Sequence, residues 1–370
     1  REATVLLAQL EQEERKLEEK AQEIFPPTEV QLKTKVKYIP FNIASRKQIA
    51  ERLQQKGWEP SHYTDKGNII INEKILNDID MPEAKMFSRF FLLQKRTGLL
   101  KAWIKECEED ERVRGKVLTL KTITGRMAHH SPNMAQVPAA YSPYGKECRD
   151  LWTVSDLNKY SLVGTDASGL ELRCLAHYMN NKKYIEEVLE GDIHTANMKL
   201  AGLANRDQAK TFIYAFLYGA GAAKIGKVVG GDAKKGQKLV DTFLHNLPDL
   251  KRLRATIQKE AERGRVRGLD GRYLKIRSEH AALNTLLQGA GAIVCKTWLI
   301  HIIKKINMSG IDAKLVASIH DEYQFEVLNK DVNRFCTITK EAIDLTTRIL
   351  KMKCKLDCDY KVGKTWAMTH

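Results

Sequence analysis

The sequence predicts an α+β fold in which helical regions flank a set of short strands. Residues up to about 105 show helical periodicity, residues after about 115 turn to β-branched stretches separated by turns, and residues 314–327 indicate a strand pair. At 370 residues the chain exceeds the size of one small core, so we expect two or three domains or subdomains.

The N-terminal region predicts helices without catalytic residues. Apolar residues recur along one narrow stripe from Ala3 to Ile24, which indicates a long one-sided helix that the following Pro-Pro pair ends. A basic linker is expected next. Ser45, with a glutamine three residues on, forms a capping box that opens a second helix, and Gly57 closes that helix.

Two later regions predict strands that end at acidic residues. Residues 161–165 form a short apolar run that stops at Asp166, and helical patterns dominate from Leu170 to about Arg263. Two β-rich runs, 314–319 and 323–327, are joined by a short polar segment that contains Asp321, which is a hairpin signature.

Composition limits the possible classes of partner. The chain is 43% hydrophobic and 29% charged, and its most apolar run, residues 286–303, is interrupted by Gln288, Lys296 and His301, so we expect a soluble protein without a membrane partner. Seven cysteines without a C-x-x-C pair indicate reduced thiols. Sixty-one Lys and Arg against 46 Asp and Glu give a net charge of +15, which favours a polyanion such as nucleic acid.

Asp166 and Asp321 are candidates for one shared site. If their strands pair, two carboxylates lie side by side at a sheet edge, an arrangement that is costly unless cations lie between them. Two divalent ions suit in-line displacement at phosphorus. Taken singly, each aspartate is more commonly a simple turn residue.

The stretch RDQAKTFIYAFLYGAG strengthens the case for a nucleotide site. On a helix, residues four apart form one face, and this face carries two cations and two aromatic rings, Arg206, Lys210, Tyr214 and Tyr218. Cations suit a triphosphate and a ring can stack on a base or sugar. The alternative is an amphipathic helix with no ligand.

Six segments in order then resemble DNA polymerase family A, the DNA polymerase I family, and most closely the replicative polymerases of T-odd podophages. They are TGRMAHHSPNMAQVP, GTDASGLELRCLAH, GDIHTANM, RDQAKTFIYAFLYGAG, LDGRYLKIRSEHAALNTLLQGAGA and HDE. The resemblance spans about residues 36–370. It implies a right-hand polymerase fold with a helical thumb (1–105), a palm around an antiparallel sheet (106–178 and 281–370) and helical fingers (179–280).

The resemblance implies template-directed DNA synthesis by two-metal-ion nucleotidyl transfer. Asp166 and Asp321 would bind two Mg²⁺ ions, with the backbone carbonyl of Ala167 assisting. Lys210 would also protonate the leaving pyrophosphate. The residues implied to bind the triphosphate are Arg206, Lys210 and His194.

The same resemblance assigns nucleotide selectivity and DNA contacts. Glu171 would exclude a ribose 2′-hydroxyl, and Tyr214 resembles family members that accept dideoxynucleotides. Tyr218 would stack at the template position next to the insertion site, and His320 would contact the primer terminus. The residues implied to contact the minor groove are Arg126, Asn133, Gln136, Asn284 and Gln288. The alternative for these residues is ordinary hydrogen bonding in loops and caps.

The implied partners are primer–template DNA and dNTPs, with a replicative helicase or processivity factor as a further class. We expect no exonuclease activity, since no proofreading domain precedes Arg1. The short linker between Ile24 and Tyr38 argues against thioredoxin binding. The expected location is the cytoplasm, of a bacterium or of a phage host.

Two other functions stay open on the residues. A phage-type single-subunit RNA polymerase shares the fold and both aspartates, but Glu171 and the GRMAHHSPNMAQVP segment favour DNA. A non-catalytic DNA-binding relative would need only the basic charge, and loss of either aspartate would have favoured it.

Overall fold

The structure, a computed structural model, describes residues 1–31 and 35–370. The chain forms two compact units. The first combines residues 1–115 and 131–151, and the second combines residues 116–130 and 152–370. The finer division into thumb, palm and fingers stays a prediction.

The first unit is mainly helical. Its helices are α1 (Glu2–Ile24), α2 (Arg46–Gln55), α3 (Glu73–Asp78), α4 (Pro82–Lys105) and α5 (Gly145–Asp150). Its two strands, β1 (Thr28–Gln31) and β2 (Val36–Ile39), pair antiparallel with Thr28 opposite Ile39.

The predicted helices of this unit are confirmed, and the predicted linker is wrong in part. The apolar stripe of α1 packs against α4. The Ser45 side chain accepts the N–H of Gln48 at 3.4 Å, so the first half of the predicted capping box is present. The second half is wrong, because the Gln48 side chain accepts the N–H of Asn42 at 2.7 Å and not that of Ser45. The segment expected to be a basic linker forms the pair β1–β2, and residues 32–34 of that segment lie outside the described residues.

The second unit contains the remaining strands and helices. Its strands are β3 (Lys116–Leu118), β4 (Ala128–His130), β5 (Tyr160–Ala167), β6 (Arg265–Arg267), β7 (Tyr273–Lys275), β8 (Ala313–Ile319), β9 (Glu322–Leu328) and β10 (Cys358–Gly363). Its helices are α6 (Leu170–Met179), α7 (Lys182–Leu189), α8 (Ile193–Ala201), α9 (Arg206–Leu217), α10 (Ala222–Val228), α11 (Ala233–Asn246), α12 (Pro248–Ala261), α13 (Ala282–Ser309) and α14 (Val332–Ile349).

An antiparallel four-stranded sheet with strand order β10-β5-β9-β8 lies at the centre of this unit. One face is apolar and packs on two helices. The ring of Tyr323 lies 5.3 Å from that of Trp298 on α13, and the ring of Phe325 lies 4.8 Å from that of Phe335 on α14. A hydrophobic core therefore covers one face of the sheet.

The opposite face of the sheet is polar and is covered by the C-terminal residues. Gln324 on β9 accepts the hydroxyl of Thr369 at 2.8 Å, and a Cβ added to Gly164 on β5 would lie 2.3 Å from the Thr369 carbonyl oxygen. Position 164 is thus a glycine because the backbone of the C-terminal segment approaches too closely for any side chain.

Helix α13 corrects one expectation. Residues 279–309, which include α13, are long and apolar enough to cross a membrane by length and composition, although interrupting polar residues had been expected to prevent this. Fifty-six per cent of the apolar window is buried inside the protein, which is typical of a core helix. The cysteines are all free, as expected.

Candidate active site

The central sheet brings Asp166 and Asp321 together. Asp166 lies near the end of β5, and Asp321 lies in the two-residue turn between β8 and β9, where His320 has a left-handed φ of 57°. The N–H of Ala167 donates to the carbonyl of Asp321 at 3.1 Å. The predicted pairing of the two strands is therefore confirmed.

The strand register adds two more carboxylates beside Asp166. Glu322 lies directly opposite Asp166 on β9, and Asp359 lies directly opposite on β10. Residues opposite each other in a sheet point to the same face. The acidic site therefore extends beyond the two predicted aspartates.

The surroundings of Asp166 disfavour its ionised form. Burial against the sheet, together with the charges of Asp321, Glu322 and Asp359, raises the pKa of Asp166 to about 7, and His370 opposes this. A carboxyl that ionises reluctantly because of neighbouring carboxylates gains most from a bound cation.

Glu322 is engaged by the protein itself. Its Oε1 accepts the indole N–H of Trp366 at 2.6 Å and the amide of Gln324 at 2.6 Å, and its Oε2 lies 2.5 Å from Nδ1 of His370. Burial opposes its ionisation, but these hydrogen bonds, that of His370 first, hold the pKa of Glu322 below its usual value. Glu322 therefore anchors the C-terminal segment as an ionised group.

The remaining donor set fits Mg²⁺. Within residues 1–31 and 35–370 no three His, Cys, Asp or Glu side chains are arranged to hold an ion. Mg²⁺ is commonly bound through only one or two carboxylates, with waters and substrate phosphates completing its shell. Asp166 and Asp321, with a backbone carbonyl nearby, supply hard oxygen ligands of that kind.

Helix α9 presents the predicted cationic and aromatic residues. Asn205 caps the helix by accepting the N–H groups of Asp207 at 2.8 Å and Gln208 at 3.3 Å. Arg206 is then the first helical residue and Lys210 follows exposed one turn later. Tyr214 is half-buried on the next turn, and Tyr218 lies just beyond the helix as its C-cap.

The predicted triphosphate-binding residues lie close to one another. The imidazole of His194 on α8 lies 6.3 Å from the ring of Tyr214. Burial, then the charges of Arg206 and Lys210, lower the pKa of His194, so its imidazole is neutral near pH 7. The three predicted triphosphate-binding residues therefore comprise two cations and one neutral imidazole.

Glu171 contacts two of the predicted residues, Tyr218 and Arg126. Its Oε1 accepts the hydroxyl of Tyr218 at 2.7 Å, and Nη2 of Arg126 lies 3.8 Å from the same oxygen. Burial, then the charges of Glu171 and Asp321, raise the pKa of Tyr214. Tyr214 therefore lies within electrostatic reach of both the predicted sugar-selecting residue and the acidic site.

The predicted DNA contacts fall into two groups. Arg126, His320 and Asp321 line one small cavity in the second unit, while Asn284 and Gln288 lie half-buried one turn apart on α13. Asn133 and Gln136 belong to the first unit, where Asn133 caps a short 3₁₀ turn by accepting the N–H of Ala135 at 3.1 Å. All of their DNA-binding roles stay predictions.

Sequence reasoning missed three residues near the site. Asp359 is identified only by its register opposite Asp166, and His370 only by its contact with Glu322. Asp192, which pairs with Arg206, carries a weak signal, because an aspartate immediately before a helical segment is a common N-cap.

Comparison with known sequences places this arrangement in a family. The profile described as DNA polymerase family A matches residues 6–368. The chain is 38% identical over 378 residues to the DNA-directed DNA polymerase of Escherichia phage T7, which covers 91% of this chain and 54% of that protein. The DNA-directed DNA polymerase of Enterobacteria phage T3 shows the same identity and coverage. DNA polymerase I of Helicobacter pylori (strain ATCC 700392 / 26695) is 25% identical, over 89% of this chain and 38% of the relative.

The fold agrees with this relationship. The POL domain of Pol1 from M. smegmatis, solved in complex with DNA primer-template and dNTP, superimposes with a TM-score of 0.86 at 18% sequence identity. The superposition covers 100% of this chain and 66% of that one, and confirms the predicted polymerase fold. The chain spans about half the length of the phage relatives that it matches. From the profile match and the phage relatives, the chain belongs to DNA polymerase family A.

Proposed function

We propose that this chain adds deoxynucleotides to a primer 3′ end under the direction of a DNA template. One observation carries the proposal: Asp166 and Asp321 converge at one sheet end, and the charge of Asp321 reaches Tyr214 on the helix that bears Arg206 and Lys210. The acidic ligands for cations and the helix that carries the basic ligands for a triphosphate therefore meet at Tyr214. This is the pairing that phosphoryl transfer needs.

Asp166 and Asp321 would hold two Mg²⁺ ions, assisted by the carbonyl of Ala167. When bound, the ions would lower the pKa of the primer 3′-hydroxyl and neutralise charge on the triphosphate. The new bond joins the primer 3′-oxygen to the α-phosphorus, and the proton of that hydroxyl passes to water. The bond between the α-phosphorus and the oxygen that bridges it to the β-phosphate breaks, and pyrophosphate leaves.

The other residues bind and orient the nucleotide. Arg206 and Lys210 contact phosphate oxygens as cations, and Lys210 donates a proton to the departing pyrophosphate. His194, neutral because its pKa is lowered, contributes an N–H donor. Tyr214 and Glu171 form two sides of the pocket for the sugar, and Glu171 leaves no room for a 2′-hydroxyl.

Primer–template DNA is the macromolecular partner in this proposal. His320 contacts the primer terminus, Tyr218 stacks beside the template base, and the polar residues of α13 and Arg126 contact the minor groove. The net charge of +15 supports binding to the phosphate backbone. A replicative role in a bacterial or host cytoplasm, with a helicase or processivity factor, is the setting that we propose for it.

The test is extension of a labelled primer on a defined template. Wild type is supplied in parallel with dNTPs, rNTPs or dideoxynucleotides. Asp321→Asn is run beside it, with Asp156→Asn, in the segment that precedes β5, as a control. We expect extension with dNTPs, termination by dideoxynucleotides, and little use of rNTPs.

Each alternative gives a distinct result. Preference for rNTPs, or synthesis without a primer, would identify an RNA polymerase. Duplex binding without any extension by wild type would identify a non-catalytic DNA-binding relative. Extension by Asp321→Asn at the wild-type rate would contradict the proposed mechanism.

A further inference from the structure

One carboxylate outside the predicted site connects the starts of two helices. Asp192 immediately precedes α8, where its Oδ1 accepts the N–H of His194 at 3.1 Å and its Oδ2 accepts the hydroxyl of Thr195 at 2.7 Å. Arg206, the first residue of α9, donates Nε to Oδ2 at 2.6 Å and Nη2 to Oδ1 at 3.0 Å. Asp192 therefore fixes α8 and α9 to each other at their N-terminal ends.

The geometry leaves part of the Arg206 guanidinium available. The bidentate pair with Asp192, called the fork below, uses Nε and Nη2 of Arg206, so Nη1 takes no part in it. The two side chains are 49% and 43% exposed, so a ligand can reach them. A bidentate pair restricts the orientation of the guanidinium plane much more than a single contact does.

The same carboxylate acts on the histidine beside it. The N–H of His194 is held by Asp192, which sets the backbone of the first turn of α8 and so the direction in which the imidazole leaves the helix. Asp192 and Asn205 cap the N-termini of α8 and α9, which meet beside Arg206. The ionised state of Asp192 is secure, because Arg206 and Thr195 hold its pKa well below the usual range.

We propose that Asp192 is a positioning residue for the nucleotide triphosphate: it holds Arg206 and His194 in their binding orientation without itself contacting the nucleotide. The inference rests on the proposed function and adds a determinant of dNTP affinity to it. An exposed ion pair contributes little to stability. Its effect is therefore expected on nucleotide binding and not on folding.

The first experiment measures single-nucleotide incorporation by Asp192→Asn. Asparagine keeps a cap acceptor for the His194 N–H but loses the charge and one acceptor of the fork. We expect KM for the dNTP to rise about tenfold with kcat changed less than about threefold, since binding and not chemistry is altered. Asp192→Glu should restore part of the affinity.

A second background separates positioning from a merely structural role. In an Arg206→Ala enzyme, the added Asp192→Asn change should raise KM by less than about twofold, because the arginine that the carboxylate orients is gone and asparagine still accepts the N–H of His194. Asp156→Asn is the matched control, since Asp156 also accepts local backbone N–H groups and pairs with a lysine, Lys159, at 3.4 Å. This control should leave KM unchanged.

An unchanged or lowered KM in Asp192→Asn, or an equal rise in both backgrounds, would overturn the inference. A lowered KM would mean that Asp192 competes with the nucleotide for Arg206. Binding of inorganic tripolyphosphate by calorimetry is an independent measurement that requires no catalysis. If wild type fails to extend primers, the proposed function fails, while weaker tripolyphosphate binding by Asp192→Asn would still support the positioning role and equal binding would refute it.

Discussion

Replacement of Asp166 by asparagine should stabilise the metal-free protein at alkaline pH. The carboxylate of Asp166 faces Glu322 and Asp359 across the sheet, and burial with these charges raises its pKa to about 7. Asparagine has nearly the same shape and never carries the charge. The variant should therefore lose the repulsion and keep the fold.

The sign follows from proton linkage. The pKa of Asp166 is about 7 in the folded protein against 3.8 as its ordinary value, so the folded state binds this proton more tightly. Its contribution to stability is complete below about pH 4 and is lost as the pH rises to about 7. For a carboxylate shielded from solvent, this difference between the folded and ordinary pKa values corresponds to about 4 kcal/mol of stability. Since Asp166 is exposed on one side, solvent screening reduces the expected gain at pH 8 to about 1–2 kcal/mol.

The assay is urea unfolding of both proteins in EDTA at pH 4 and pH 8. The free energies of unfolding should differ little at pH 4, and the variant should be more stable at pH 8. Asp156→Asn provides a control of opposite sign, because backbone N–H groups and Lys159 lower the pKa of Asp156, so its ionised form stabilises the fold above the unfolded pKa. Mg²⁺ should stabilise wild type more than Asp166→Asn. A variant that is no more stable than wild type at pH 8, or one with equal gains at both pH values, would refute the reasoning.

Three further substitutions test particular contacts. Glu171→Ala should raise the efficiency of rNTP relative to dNTP incorporation by at least about tenfold on one primer–template, and an unchanged ratio would remove Glu171 from sugar selection. Tyr214→Phe should reduce dideoxynucleotide use by about 2–10-fold, the net value of one hydrogen bond, while dNTP use is retained; equal loss of both substrates would contradict this assignment. Gly164→Ala should destabilise the protein by about 1–3 kcal/mol in urea unfolding, because its Cβ would lie 2.3 Å from the Thr369 carbonyl oxygen; wild-type stability would show that the C-terminal segment can move away.

Local patterns predicted the elements that carry the site. The apolar run before Asp166 forms β5, and the two β-rich runs on either side of Asp321 form β8 and β9. Such strands can be predicted because their composition and the turns that flank them are visible in the sequence. The four-residue spacing from Arg206 likewise predicted one face of α9. Each of these signals lies within a single element.

Register between strands was not readable from the same patterns. Asp166 on β5 lies opposite Glu322, the first residue of β9, and Asp321 lies one residue earlier in the turn. A slip of one residue would reverse the faces of all side chains on that strand. The roles of Glu322 and Asp359 depend on this register.

Contacts between distant segments were also beyond the sequence. The fork between Asp192 and Arg206 depends on how α8 packs against α9, and the contact of His370 with Glu322 depends on the path of the C-terminal segment. The pair β1–β2 was missed for another reason. Its two strands have only four residues each and are nearly all exposed, so they contain no run of buried apolar residues to identify them.

The most direct test of the account is the rate of a single nucleotide addition, measured by rapid quench for Asp166→Asn, Asp321→Asn and the double variant on one saturating primer–template. If the two carboxylates serve one pair of cations, each single change should lower the rate by at least about 1,000-fold, and the double variant should be no more than about tenfold slower than the slower single variant. Primer–template affinity should stay near that of wild type. A single variant that keeps a tenth of the wild-type rate, or two effects that multiply in the double variant, would contradict a shared site.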